Sequence, residues 1–110
     1  MEGLTVKEVV EATKGTLVSG DPGREIESFS TDSRTLKPGD LFIALKGKSF
    51  DGHAFLSQAA AKGALGCVVS GPPSIPLPPG FAVIQVEETQ WALGQIAECW
   101  RRRYPARVVA

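Results

Sequence analysis

The chain has 110 residues, 12 Lys plus Arg against 12 Asp plus Glu, and is 43% hydrophobic. That is the size of one domain and apolar enough for a core, while the zero net charge lacks the basic excess of a dedicated nucleic-acid binder. No apolar run reaches the roughly 20 residues of a membrane span, no apolar leader follows Met1, and Cys67 and Cys99 are too far apart for a metal-ligand spacing or a disulfide framework.

Thr5-Val6-Lys7-Glu8 has the form of a capping box, with Leu4 and Val9 placed as a hydrophobic staple. Val6, Val9, Val10 and Thr13 share one face, which predicts a helix over 6–14 that Gly15 ends. Thr16 to Ser19 is β-prone, and Gly20-Asp21-Pro22-Gly23 is a turn by composition. The alternation from Glu25 to Phe29 predicts a half-buried strand running to about residue 31. Lys37-Pro38-Gly39-Asp40 is a second turn. Leu41 to Leu45 is a continuous apolar run, which places it at the sheet centre.

Residues 46–52 form a polar loop. Asp51 is placed to cap a helix over 53–62, with Phe55, Leu56, Ala59 and Ala60 on its buried side and Gly63 at its end. Gly66 to Val69 reads as a buried strand. Residues 71–80 hold five of the eight prolines and predict an exposed, extended loop. Phe81 to Val86 is the next strand. From 87 to 103 the period is helical, with Leu93, Ile96, Ala97, Trp100 and Tyr104 as the apolar stripe and Trp91 opposite it. Glu87 and Glu88 fall in the first turn of that helix and Arg101, Arg102 and Arg103 in its last, the order the helix dipole favours. Pro105 stops it, and Arg107 to Ala110 begins another strand, so the sequence reads as a fragment of a longer chain. The order α-β-β-β-α-β-β-α-(β) predicts one α/β domain over 1–110, with a small mixed sheet and about three helices. The short link between the strands at 25–31 and 41–45 is the reason for expecting a mixed sheet.

Gly47-Lys48-Ser49 has the ending of a phosphate-binding P-loop. That motif needs a glycine at position 42, which is Phe, and a helix beginning at the lysine. With one histidine in the chain, a His-based metal site is not expected, and both cysteines read as packing residues. The middle of the chain is basic: residues 37–70 carry four lysines against two aspartates, while residues 1–36 are net −3. Two polar loops remain, Ser30-Thr31-Asp32-Ser33-Arg34-Thr35 after one strand and Lys46 to His53 after the most apolar one. Strand-end loops of α/β sheets hold ligands, and hydroxyls, an Arg and two Lys suit a phosphate or pyrophosphate. Phe50 offers an aromatic face for a base. Turn capping by Asp32 and Asp51, with Ser33 and His53 bonded to backbone, accounts for the same residues equally well.

These loops carry a family resemblance. Ser30-Thr31-Asp32-Ser33-Arg34, then Pro38-Gly39-Asp40 through Lys46-Gly47, then Phe50-Asp51-Gly52-His53-Ala54-Phe55, then Ala59 to Ala64, resembles the N-terminal domain of the Mur ligases, cytoplasmic bacterial enzymes that build the peptidoglycan peptide stem. The resemblance covers nearly the whole chain. It implies that residues 1–110 are the UDP-substrate-binding domain of a larger ligase. On this reading Thr31, Ser33 and Arg34 form one side of the site and Lys48, Ser49 and Phe50 the other, while Asp32, Asp51, Gly52 and His53 shape the loops. It implies no cofactor in this segment, with ATP and Mg²⁺ and all catalysis belonging to the parent's central and C-terminal domains. The expected partners are a UDP-N-acetylmuramoyl-peptide and those two domains, without nucleic acid or a membrane span. Within the family, Gly15 to Gly20 leading into Ser30-Thr31-Asp32, together with Phe50-Asp51-Gly52-His53, favours the branch that adds D-alanyl-D-alanine. The alternatives are the sister branch that adds lysine or diaminopimelate, and a stand-alone interaction or sensor module of related fold.

Overall fold

The computed structural model describes residues 4–46, 51–71 and 77–103. The first helix, α1 (Val6–Thr13), opens on the expected capping box: Glu8 N–H donates to Thr5 Oγ1 at 3.3 Å, and Thr5 N–H donates to Glu8 Oε1 at 3.1 Å. Leu4 and Val9, the staple pair, are both fully buried. The helix ends differently from expectation. Lys14, not a glycine, takes the left-handed cap conformation at φ 55°. Gly15 serves another purpose, since a Cβ there would lie 2.9 Å from the Gln85 carbonyl oxygen.

The chain then enters β1 (Thr16–Ser19), followed by β2 (Ser28–Ser30) and β3 (Asp40–Ile43). Strand β2 is shorter than the sequence suggests. Glu25 and Ile26 are drawn off to pair with the segment before α1, where Ile26 N–H donates to the Leu4 carbonyl at 2.8 Å. A 3-10 turn over Gly52–Phe55 leads into α2 (Leu56–Ala61), then β4 (Gly66–Val69), β5 (Ala82–Gln85) and α3 (Thr89–Arg103). Helix α3 starts after Glu87 and Glu88, which therefore precede its first turn. Its buried stripe runs through Thr89, Ala92 and Ile96, with Leu93, Cys99 and Trp100 packed beside it. Ala92 and Cys99 thus join the inner face, where the sequence reading had not placed them; Tyr104, Pro105 and 107–110 lie outside the described residues. Trp91 is exposed, as expected.

The sheet order is β1-β5-β4-β3-β2. The middle strand is β4, and the apolar run of β3 is one place off centre. The sheet is mixed, but not for the reason the sequence offered. Strands β2 and β3 pair parallel despite their short link. A three-residue strand spans only roughly 10 Å, so residues 31–39 can return to its start without a helix. The antiparallel pair is β1 with β5.

Side chains alternate across the sheet. Leu41, Ile43, Val68, Ala82 and Ile84 face α1 and α3, joining Leu4, Val6, Val9 and Ile96. Phe42, Ala44, Cys67, Val69 and Val83 face the other way, joining Leu36, Leu56 and Ala59 around α2. Residues 72–76 of the proline-rich loop lie outside the described residues; Leu77 is half-buried against the α2-side cluster, and Pro78 to Gly80 are exposed. No helix among the described residues is long and apolar enough to cross a membrane.

Candidate functional site

Strands β2 to β5 run parallel, so their carboxyl ends share one edge of the sheet. At that edge, where ligands collect in such sheets, the segment after β2 forms one wall of an open cleft of about 610 Å³. Thr31, Asp32, Ser33 and Arg34 line it. Across from them are Leu45, just past β3, and Phe55 and Gln58 from the segment around α2.

The 31–35 loop is braced from within. Asp32 Oδ1 accepts from the Arg34 backbone N–H at 2.8 Å and from Arg34 Nε at 3.1 Å, while Asp32 Oδ2 accepts from Arg34 Nη2 at 3.0 Å. The guanidinium holds the Asp32 carboxyl below the usual carboxylate range, and Asp32 in turn raises the Arg34 value. This fork uses Nε and one Nη2 proton. The Arg34 side chain is otherwise 85% exposed, so its remaining N–H donors face the cleft and solvent. Thr35 N–H closes the turn on the Asp32 carbonyl at 3.3 Å.

Helix α2 holds the same loop from outside. The Ser33 hydroxyl, on a residue only 5% exposed, donates to Gln58 Oε1 at 3.1 Å. Lys62 Nζ, at the end of α2, donates to the Arg34 carbonyl at 2.6 Å. Sequence reasoning named neither Gln58 nor Lys62. The available signal was their helical spacing from Phe55, which places all three on adjoining turns of one helix face.

The second loop is anchored on both sides. Lys46 and Asp51 form an antiparallel bridge, and Gly52 N–H donates to the Leu45 carbonyl at 2.6 Å. Position 52 must be glycine for this approach, because a Cβ would lie 2.9 Å from Leu45 N and 3.0 Å from Ala44 Cα. Gly47, Lys48, Ser49 and Phe50 lie outside the described residues. Asp51 caps the 3-10 turn, accepting from His53 N–H at 3.0 Å, and sits 2.6 Å from His53 Nδ1. Those bonds hold the Asp51 carboxyl below the usual carboxylate range. On the far side of the ring, His53 Nε2 accepts from Ser70 N–H at 3.0 Å. That bond requires a bare Nε2, so Nδ1 carries the proton and donates to Asp51. The imidazole thus ties the turn to the end of β4. Asp51 and His53 do not line the cleft, and Asp32 and Asp51 each pair within their own loop.

Both cysteines are shielded rather than activated: burial pushes the Cys67 thiol up to about 12 and raises Cys99 as well. Among the described residues, no group of three or more His, Cys, Asp or Glu could hold a metal ion. The cleft combines the groups that suit an anionic ligand. Arg34 supplies charge, hydroxyls and an amide supply hydrogen bonds, and Leu45 and Phe55 supply apolar walls.

Comparison with known proteins gives this architecture its relatives. Residues 25–101 match the family described as "Mur ligase family, catalytic domain". The chain is 40% identical over all 110 residues to the UDP-N-acetylmuramoyl-tripeptide–D-alanyl-D-alanine ligase of Escherichia coli K12, of which it covers 23%. It is 35% identical over 94 residues (86% of this chain) to a UDP-N-acetylmuramoyl-L-alanyl-D-glutamate–2,6-diaminopimelate ligase of Bacteroides thetaiotaomicron, covering 19% of it. A crystal structure of MurF from Acinetobacter baumannii superposes with a TM-score of 0.78 at 35% identity, over 98% of this chain and 23% of that one. The chain therefore spans about a quarter of the length of such relatives.

Proposed function

Because the chain belongs to the Mur ligase family, we propose that it is the N-terminal, substrate-binding domain of a cytoplasmic ATP-dependent ligase that joins D-alanyl-D-alanine to UDP-N-acetylmuramoyl-tripeptide. The cleft is assigned to the UDP end of that substrate. One observation carries the assignment: the loop after β2 and the side chains of α2 meet in a single cleft that combines Arg34 with buried and exposed hydrogen-bonding groups. The dipeptide-adding ligase is preferred to the diaminopimelate ligase because identity is 40% over the full chain against 35% over 94 residues.

In this reading Arg34 places its free N–H donors on the diphosphate, and Asp32 keeps the guanidinium in one orientation. Thr31 adds a hydroxyl at the rim, and Lys48, Ser49 and Phe50 close the site from the second loop. Among the described residues no group of three or more His, Cys, Asp or Glu could hold Mg²⁺, and in the sequence Gly47-Lys48-Ser49 lacks the first glycine of a phosphate loop for ATP. Both are assigned to the remainder of the parent. The contribution of this domain is to fix one end of a long substrate, which positions the distant carboxylate for reaction.

Arg34→Ala in the full-length enzyme tests this. The KM for the UDP-tripeptide should rise about tenfold with kcat little changed, the pattern of lost uniform binding. The KM values for ATP and D-alanyl-D-alanine should stay put. An unchanged UDP-tripeptide KM in a folded variant removes the cleft from the substrate path.

A further inference from the structure

The chain has four aspartates and no asparagine, and one of the aspartates, Asp51, is followed by glycine. Asp–Gly is a dipeptide whose backbone rearranges readily, because glycine puts no side chain between its nitrogen and the neighbouring carboxyl. Yet position 52 has to be glycine, since a Cβ would lie 2.9 Å from Leu45 N and 3.0 Å from Ala44 Cα. The packing that seats the second loop therefore brings a chemical liability with it. Burial does not remove that liability: the Asp51 side chain is 48% exposed, so water reaches it.

Three features of the turn oppose the rearrangement. With Asp51 extended at φ −135° and ψ 105°, the Gly52 nitrogen is turned away from the Asp51 side chain, whereas ring closure needs the two on the same side. Gly52 N–H donates to the Leu45 carbonyl at 2.6 Å, which fixes the orientation of that peptide. The group attacked must be the neutral carboxyl, whereas His53 N–H at 3.0 Å and His53 Nδ1 at 2.6 Å both favour the carboxylate. The imidazole is itself fastened at Nε2 by Ser70 N–H at 3.0 Å, so the end of β4 holds the turn through it.

We infer that Asp51–Gly52 is a modification site, at which aspartate converts to isoaspartate through a cyclic imide, and that the fold holds it closed through His53 and Leu45. In the first step Gly52 N bonds to Asp51 Cγ and the Cγ–OH bond breaks; the amide hydrogen leaves with that hydroxyl as water. In the second step a water opens the imide. Attack at Cγ restores aspartate, and attack at the Asp51 backbone carbonyl leaves the chain running through Cγ with a free α-carboxylate. Mass and charge are unchanged, but the backbone gains one carbon between the Asp51 Cα and Gly52. That carbon works against the Lys46–Asp51 bridge, next to the cleft wall at Leu45. The free α-carboxylate is the group that S-adenosylmethionine-dependent isoaspartyl methyltransferases esterify.

The test ages the full-length enzyme in warm neutral buffer, folded and in urea. Isoaspartate is followed by methyl transfer from labelled S-adenosylmethionine, and peptide mapping places it in the chain. In urea it should appear at residue 51 about tenfold or more faster than in the folded protein, because the rate follows the fraction of chains free to close the ring. His53→Ala, shown by a melt to be folded, should raise the folded rate about threefold or more, since the turn then opens more often. Asp21, Asp32 and Asp40, none followed by glycine, are internal controls and should gain little. Equal rates at residue 51 in folded and urea-treated wild type, or no isoaspartate there in urea, overturn the inference without touching the substrate reading of the cleft. A folded His53→Ala with the wild-type rate overturns the role given to His53.

Discussion

The two faces of the sheet are built on different terms. On one face α1 and α3 cover the strands with a continuous apolar layer, and an Arg103–Glu8 ion pair joins the two helices. On the other face the described residues place one short helix and a 3-10 turn. That thinner face is fastened to the strand ends by polar side chains: His53 to the end of β4, Gln58 and Lys62 to the loop after β2. The difference teaches where a small domain can place a site. Helical cover supplies stability on one side, and the other side is free to leave strand ends open and hydrogen-bonding groups within reach of a ligand.

If this division holds, a cut on the thick face should cost stability without touching recognition. Ile96→Ala deletes a fully buried side chain between α3 and the sheet, at a cost of about 2–5 kcal/mol. Urea denaturation should show the loss, while UDP affinity of the remaining folded protein stays near wild type. A large affinity change at full stability would merge the two faces into one unit.

On the thin face both properties should move together. Gly52→Ala forces a Cβ onto the backbone of Leu45 and Ala44, and overpacking of this kind costs about 1–3 kcal/mol. Since Leu45 is a cleft wall, UDP affinity should fall as well. His53→Ala leaves the Ser70 N–H without its acceptor, at about 1–2 kcal/mol. Its effect on binding should be smaller than that of Gly52→Ala, because His53 does not line the cleft. Equal effects of the two substitutions would place the imidazole closer to the ligand than its bonds to Asp51 and Ser70 imply.

Acid gives the smallest and most graded comparison. Asp32 and Asp51 on the thin face and Glu98 on α3 are all held below the usual carboxylate range, by Arg34, by the His53 N–H groups and by Arg101 respectively. Unfolding returns each to its ordinary value, so the unfolded chain binds protons at a higher pH than the folded one. Stability from these groups is therefore present above the ordinary carboxylate range and lost as pH falls through it toward the lowered folded values. All three are solvent-exposed, so the slope is shallow. Asp51→Asn should flatten a plot of melting temperature against pH between about pH 5 and pH 2 more than Glu98→Gln does, because Asp51 also anchors the turn. The reverse order would make the helix-surface ion pairs the stronger ones.

Several of these features were legible in the sequence and others were not, for identifiable reasons. Residues 5–8 announced α1 because a capping box is local: donor, acceptor and staple lie within a few positions. The place of β3 in the sheet was not legible, since an apolar run reports burial on two faces and not rank. The true middle strand begins with Gly66, whose missing side chain lets Ala82 of β5 lie against it; a Cβ on Gly66 would lie 2.4 Å from the Ala82 carbonyl oxygen. Glu87 and Glu88 suggested an early start for α3 because acidic residues suit a first turn, yet the helix begins only at Thr89. In the cleft, Ser33 and Arg34 stood out as polar residues after a strand. Gln58 and Lys62 did not, because a polar residue beside alanines on a helix reads as solvated until the fold brings another loop against it.

The pairing of β1 with β5 also sets a timetable. Thr16 faces Gln85, 69 positions further along the chain. At a synthesis rate of roughly 5–20 residues per second, β1 leaves the ribosome about 3–14 seconds before its partner exists. During that interval its backbone N–H and C=O groups are an open template for any other nascent chain. The residues of β1 suit such a wait: Thr16, Val18 and Ser19 remain exposed even after pairing, and only Leu17 turns toward the core. A strand made early and paired late is here composed as one that water can keep.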